Sequence, residues 1–310
     1  MSNNLFAIDI GGTDIKYGVV TPENDIISSD RIPTPYETPE YLVNLLVQLV
    51  LQCPEQVDGI AVSLPGSPYG NEGIVHRGGA LKYLRGFPLG EALHKASGLP
   101  ATLENDGRCA ALGEYCAGAL QNAHCGVMLV IGTSLGGAIL LDGEILDGFQ
   151  SFAGRFSHLL VEDSTGNLVR VGDLIGKEGL RRAVVSACGL PKDTPLTGFE
   201  IFERINSGDP AAQKGLDDFC RSIALLVSNL QIILDPDQIV LGGGISAQPA
   251  LLESVQRQLT KLSGASPIPR PVSNVALSPL GNHANLLGAA EVWRRKNIRL
   301  CSVFRNSSCY

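Results

Sequence analysis

LFAIDIGGTDIKYGVV, residues 5–20, is the stretch on which the reading of the fold turns. An apolar run from Leu5 to Ile10 meets Gly11-Gly12-Thr13 and gives way to a second apolar run, Ile15 to Val20. That is the pattern of two strands joined by a tight glycine turn. Two glycines in such a turn free backbone N–H groups to face an anion, because no Cβ blocks the approach. Thr13 adds a hydroxyl donor, Lys16 offers positive charge, and Asp9 at the strand end could hold Mg2+ through water. The plain alternative is a hairpin turn with Asp9 exposed.

Outward from this turn, Ile26 to Ile32 reads as a third strand. Thr38-Pro39 supplies an N-cap and a first-turn proline for a helix to Gln52, apolar at Leu42, Leu45, Leu46 and Leu49. A strand at 59–66, a helix near 88–97 stopped by Gly98, and a strand at 101–106 opening a helix to Gly118 come next. Strands alternating with helices argue for an α/β domain with a largely parallel sheet. The pattern then restarts: GVMLVI (126–131), GTSLGG (132–137) and AILLDGEIL (138–146) repeat strand, Gly/Thr turn, strand. Two related α/β halves facing one cleft are expected. A helix over 211–234, the strand and turn IVLGGG (239–244), a helix at 249–262, a strand near 274–278 and a helix near 283–296 complete the chain. The tail after Arg295 shows little periodicity and reads as irregular.

The chain has 310 residues, enough to bury a sizeable core, and its length favours two domains over one. A balance of 24 basic against 31 acidic residues, net −7, argues against a nucleic-acid surface. No apolar stretch reaches the roughly 18 residues of a membrane span, and the start, MSNNLFAIDI, does not read as a signal peptide. The eight cysteines form no CxxC pair, so reduced thiols in the cytoplasm are expected.

Two further glycine turns follow apolar strands. Gly132-Thr133-Ser134-Leu135-Gly136-Gly137 is of the first type; Gly242-Gly243-Gly244 could let a flat nucleotide pass close to the backbone, or a helix pack close. Three such turns point to a nucleoside triphosphate, although neither the GxxxxGK[ST] loop nor a GxGxxG fingerprint is present. Glu104-Asn105-Asp106 sits where a strand gives way to a helix. Phosphoryl transfer to an alcohol needs a carboxylate to take the hydroxyl proton, which Asp106 can do, while Asn105 can bond sugar hydroxyls. Taken alone, the tripeptide reads more readily as an Asx N-cap for the helix at 107–118. His158 in AGRFSHLL is ambiguous between ligand and structural group.

Together DIGGTDIK (9–16), LPG (64–66), LENDGRCAALGE (103–114), VIGTSLGGAIL (130–140), AGRFSH (153–158) and LDPDQIVLGGGI (234–245) resemble the ROK family of sugar kinases and sugar-responsive repressors. The resemblance spans roughly residues 5–292 and implies an α/β, actin-like ATPase (ribonuclease H-like) fold, with ATP and sugar in a central cleft between two domains. It implies domains at 1–107 plus about 281–297 and at 108–280, with 298–310 as a tail. By position, Asp9, Gly11, Gly12, Thr13 and Lys16, with Gly132, Thr133 and Gly136, match the family's two phosphate loops, and Gly242, Gly243 and Gly244 its adenosine side. Asp106 matches the catalytic base, Asp9 the metal-linked carboxylate, and Gly79 in the Gly78–Leu81 loop, Asn105, Asp106 and His158 the sugar contacts. A small-molecule sugar partner and a homodimer are implied, with neither nucleic acid nor membrane.

Three departures stand out. Arg155 replaces a sugar-binding Glu, and Ser134 replaces the middle Gly of the second phosphate loop. The Cys-rich zinc motif is missing, since no cysteine lies between His158 and Leu180, so ATP and Mg2+ are expected without zinc. Asp173 and Glu178 are candidates for a carboxylate that normally follows that motif. The zinc-lacking pattern and the GGAL stretch are most similar to the β-glucoside kinase branch. A repressor would need a DNA-binding domain ahead of Asp9, where only eight residues stand. A sugar-binding regulatory protein that has lost catalysis is the alternative that Arg155 and Ser134 motivate. An actin- or chaperone-like ATPase fits the Glu104–Asp106 and His158 constellation poorly.

Overall fold

The computed structural model describes residues 4–68, 73–163, 166–264, 271 and 273–306. Its contacts divide the chain into two compact units, Met1–Gly118 with Asn282–Tyr310, and Ala119–Gly281.

The first unit is built on a five-stranded sheet. Its strands are β1 (Leu5–Ile10), β2 (Asp14–Val20), β3 (Ile26–Pro33), β4 (Gly59–Leu64) and, after the short pair β5 (Ser67–Pro68) and β6 (Val75–Arg77), β7 (Ala101–Asn105). The order is β3-β2-β1-β4-β7, with β1, β4 and β7 parallel and β2 and β3 antiparallel to their neighbours. Alternation along the strands sets the two faces. Phe6, Ile8 and Ile10 of β1 and Ile60, Val62 and Leu64 of β4 join the core with α1 (Pro39–Gln52) and α2 (Leu89–Ser97). Helix α1 starts as its sequence dictates, with the Thr38 side chain accepting from the Tyr41 amide and Pro39 in the first turn. Its buried face is Leu42, Val43, Leu46, Val47 and Val50, whereas Leu45 and Leu49 are half-buried.

The opposite face carries small residues. Ala7, Gly59 and Ala61 let α3 (Asp106–Ala117) and the C-terminal helix α9 (His283–Asn306) lie close on the sheet. A Cβ on Gly59 would meet the Trp293 indole at 2.3 Å. Helices α3 and α9 cross at glycines as well: a Cβ on Gly113 would stand 2.0 Å from the Ala284 carbonyl, and one on Gly288 1.7 Å from that of Cys109. This packing places α3 with the first unit, so the division falls after Gly118 rather than at 107. Helix α9 also runs on to Asn306, well past the stretch where the periodicity stops. No proline interrupts 283–306, and extending an existing helix needs no new nucleus.

The second unit repeats the plan. Strands β8 (Cys125–Ile131), β9 (Leu135–Leu141) and β10 (Glu144–Ile145) form antiparallel neighbours; the last two are joined through Asp142-Gly143, both with positive φ. The hairpin β11 (Leu160–Glu162) and β12 (Leu168–Arg170) leads into α4 (Val171–Leu174), α5 (Lys177–Ala187), α6 (Gly198–Asn206) and α7 (Pro210–Leu234). Strand β13 (Gln238–Gly242), α8 (Pro249–Gly264) and β14 (Val275–Leu277) complete it, with sheet order β10-β9-β8-β13-β14. β8, β13 and β14 are parallel, as β1, β4 and β7 are in the first unit. Val127, Leu129 and Ile131 share one buried core with Ile223, Val227 and Leu230 of α7. Among the described residues no helix is long and apolar enough to cross a membrane, and Cys53, Cys109, Cys116, Cys125, Cys188 and Cys220 are free thiols.

The glycine crossing gives a direct test. Gly288→Ala forces a methyl group into the Cys109 carbonyl, and should destabilise the protein by about 2–3 kcal/mol, read as a lower denaturant midpoint at unchanged slope.

Candidate functional site

In the first unit the candidate residues converge at the C-terminal ends of the parallel strands. Register sets Asp9 of β1 beside Ser63 of β4, and Ser63 beside Glu104 of β7. All three extend the small-residue face toward α3 and α9. Asp9 is 6% exposed, and its Oδ1 accepts from Ser63 Oγ at 2.7 Å and Asn285 Nδ2 at 2.9 Å. Its Oδ2 lies 3.7 Å from Lys16 Nζ, which also donates to Asn282 Oδ1 at 3.0 Å. Asn282, Asn285 and Ser63 were not singled out in the sequence. Asn285 lies 276 positions from Asp9, so no local pattern could pair them.

The Gly11-Gly12-Thr13 turn is polarised. The Thr34 hydroxyl donates to the Gly11 carbonyl at 2.8 Å, the Tyr36 hydroxyl to the Gly12 carbonyl, and the Thr34 amide to the Thr13 carbonyl at 2.9 Å. Across a trans peptide the carbonyl and the following N–H point opposite ways. With the carbonyl side held by residues 34–36, the Gly12 and Thr13 amides turn to the other side, where both residues are exposed. Gly11 is confined to glycine, since a Cβ would stand 2.8 Å from the Asp14 carbonyl that its own amide bonds.

Asn105 and Asp106 occupy the junction of β7 and α3. Asn105 caps the helix, its Oδ1 accepting from the Gly107 and Arg108 amides at 3.1 and 3.4 Å. Its Nδ2 donates to the Gly66 carbonyl at 2.9 Å and to Asp106 Oδ1 at 2.8 Å. Asp106 Oδ1 also accepts from the Gly107 amide at 2.8 Å, so the half-buried carboxylate is oriented from two sides at a helix N-terminus. The Cys109 thiol, one turn on and fully buried, is pushed well above its usual range by that burial, with Glu104, Asp9 and Asp106 adding to the effect. These carboxylates thus share one neighbourhood. Gly79 packs on Pro65 and Gly66, the partner of Asn105, and Gly12 lies against Ala80. Asp9 with Lys16, and the glycine turn with Gly79, Asn105 and Asp106, are therefore linked by contacts within this unit.

In the second unit the Gly132–Gly137 turn is held by the segment that follows the hairpin. The Gly132 amide donates to the Ser134 carbonyl at 3.0 Å and the Lys177 amide to the Gly132 carbonyl at 2.9 Å. Ser134 donates its hydroxyl to the Gly172 carbonyl at 2.9 Å, and it is not among the residues with positive φ. Its side chain therefore ties the turn to α4. Gly243, at φ +90, brings the next turn against β8, where a Cβ would stand 2.4 Å from the Ile131 carbonyl. A Cβ on Gly244 would meet open space, and Gly132 is nearly as open. These faces and the exposed Thr133 suit a nucleotide. His158 ends a short 3-10 turn, exposed, with its ring 5.7 Å from that of Phe152. Arg155, half-buried, donates to the Ser151 carbonyl and lines an apolar cavity of ≈ 910 Å3 between the hairpin and α7, with Phe156, Leu160, Arg221 and Leu225. Asp173 and Glu178 each pair with an arginine, Arg170 and Arg181, whose hydrogen bonds hold both carboxyls below their usual range.

For Mg2+ the fit rests on Asp9. Among the described residues no group of three or more His, Cys, Asp or Glu side chains could hold a metal ion together. A single anchored carboxylate suits a hard cation that keeps most of its waters and takes one or two carboxylates beside phosphate oxygens.

Residues 5–296 match the ROK family. The chain is 32% identical over 295 residues to a beta-glucoside kinase of Listeria innocua, covering 92% of this chain and 95% of the relative. Among solved structures it is similar to a ROK family protein from Streptococcus pneumoniae in complex with sucrose, at 29% identity and TM-score 0.84, covering 96% of this chain and 99% of that one. It is also similar to a ROK family glucokinase from Streptomyces griseus in complex with glucose and AMPPNP, at 25% identity and TM-score 0.81, covering 93% and 98%.

Asn285→Leu removes one of the two donors to Asp9 Oδ1. Losing a hydrogen bond to a buried charge should lower stability by about 1.5–3 kcal/mol, measured by denaturant unfolding; Asn285→Asp should be worse, because it sets two carboxylates together.

Proposed function

The chain belongs to the ROK family and is an ATP-dependent sugar kinase, and we propose that it moves the γ-phosphoryl group of ATP to a sugar hydroxyl with Asp106 as general base. The observation that carries this assignment is the setting of Asp106, a carboxylate oriented by the Gly107 amide and Asn105 Nδ2 in the same unit as the polarised glycine turn. A carboxylate so held can take the hydroxyl proton as the phosphoryl group arrives.

In this reading Asn105 acts on Asp106, because both its N–H bonds go to protein acceptors. The amides of Gly12 and Thr13, with the Thr13 hydroxyl and Lys16, bind phosphate oxygens. The turns around Gly132, Thr133 and Gly136 and around Gly242, Gly243 and Gly244 bind the rest of the nucleotide. Preorganised donors of this kind stabilise charge without reorganising during the reaction. Mg2+ when bound offsets charge on the transferring group, and Asp9 is the residue that would hold it, through water. Gly79 and His158 join Asp106 in contacting the sugar, with no zinc involved. The favoured acceptor is a β-glucoside, phosphorylated at O6, by likeness to the Listeria innocua relative. A cytoplasmic homodimer completes the proposal, with free thiols and an ATP supply both fitting that compartment.

The second reading, a sugar-binding regulatory protein without catalysis, rests on Arg155 and on the cavity it lines. ADP release with ATP and Mg2+ across glucose, N-acetylmannosamine, N-acetylglucosamine, cellobiose, gentiobiose and arbutin separates the two. Turnover on the β-glucosides is expected, and Asp106→Ala should lower it by about 10²–10⁴. Turnover on another sugar keeps the mechanism and moves the acceptor. Sugar and ATP binding by calorimetry, with no sugar-dependent turnover, favours the regulatory protein.

A further inference from the structure

Tyr36 stands out because it is largely exposed and yet its polar end is committed. It is 60% exposed, yet its hydroxyl donates to the carbonyl of Gly12 in the phosphate turn. The ring meets Tyr83 edge-on, with centroids 6.4 Å apart, and Tyr83 in turn donates to the Pro35 carbonyl at 2.9 Å. Tyr83 belongs to the short 3-10 turn that follows the Gly78–Leu81 loop. A strap, Thr34 to Tyr36, is thus bolted on one side to the loop at 78–84 and on the other to all three carbonyls of the Gly11-Gly12-Thr13 turn.

We propose that Tyr36 is a positioning residue for phosphoryl transfer, which keeps the Gly12–Thr13 peptide turned so that its N–H faces the phosphates of the nucleotide. The inference rests on reading this turn as a phosphate site. Gly12 carries no side chain to resist rotation of that peptide, so its orientation depends on what holds the carbonyl. A donor on the carbonyl also polarises the peptide and strengthens its N–H as a donor to an anion. Thr34 does the same for the peptide before it, through a buried hydroxyl on the Gly11 carbonyl.

Tyr36→Phe removes the donor and keeps the ring. Calorimetry on the full chain should show ADP binding weakened about five- to tenfold, the effect of one lost hydrogen bond, with adenosine binding unchanged. In turnover assays KM for ATP should rise by a similar factor while KM for the sugar stays within about twofold. Thr34→Val should weaken ADP in the same selective way. ADP and adenosine weakening together would reveal a general structural role and overturn the proposal; so would unchanged ADP binding in Tyr36→Phe. Absence of turnover with every sugar would count against the kinase reading alone, since the contrast between ADP and adenosine still tests the turn.

Discussion

Gly288 of α9 lies so close to the backbone of α3 that a methyl group there would stand 1.7 Å from the Cys109 carbonyl, and Gly113 approaches α9 in the same way. Most of what is distinctive about the first unit follows from this crossing. Close packing fixes α3, whose first residue is Asp106, and fixes α9, whose first turns carry Asn285 to Asp9. Lys16 is met by Asn282, immediately before that helix. The sheet cooperates by offering Ala7, Gly59 and Ala61 on the face the helices cover. Larger residues there would push both helices away and separate the carboxylates that gather around Cys109.

How far the sequence could be read depended on distance along the chain. The turn at Gly11-Gly12-Thr13 and the capped start of α1 are local and legible, because the residues that decide them are neighbours. Asn105 bears out the capping reading, since its Oδ1 caps α3, while its Nδ2 goes to Gly66 and Asp106. The partners of Asp9 were out of reach, as were the donors from Thr34 and Tyr36, because sheet register and a returning helix bring them in. The end of α9 carries little signal for a different reason. Periodicity marks a helix that buries one face, and it fades where a helix merely continues.

Ser134 illustrates what a departure from a family pattern means physically. A glycine is required where φ is positive or where a Cβ has no room, and neither holds at 134. The serine instead adds a bond to Gly172, which ties the Gly132–Gly137 turn to the segment bearing Asp173 and Glu178. Arg155 is a different case: it changes the charge at its position and lines an apolar cavity within the second unit.

The second unit is one uninterrupted stretch, Ala119–Gly281, whereas the first is closed by Asn282–Tyr310. During synthesis the two therefore mature on different schedules. All of the second unit's strands and helices have emerged before the helix that covers the first unit's sheet exists, and domains generally fold as units as they emerge. Until α9 arrives, the face that carries Ala7, Gly59, Ala61 and Asp9 has α3 alone to cover it, and the Asp9 carboxylate lacks Asn285. The turn at Gly11-Gly12-Thr13 thus reaches its working environment only after the whole stretch 119–281 has emerged.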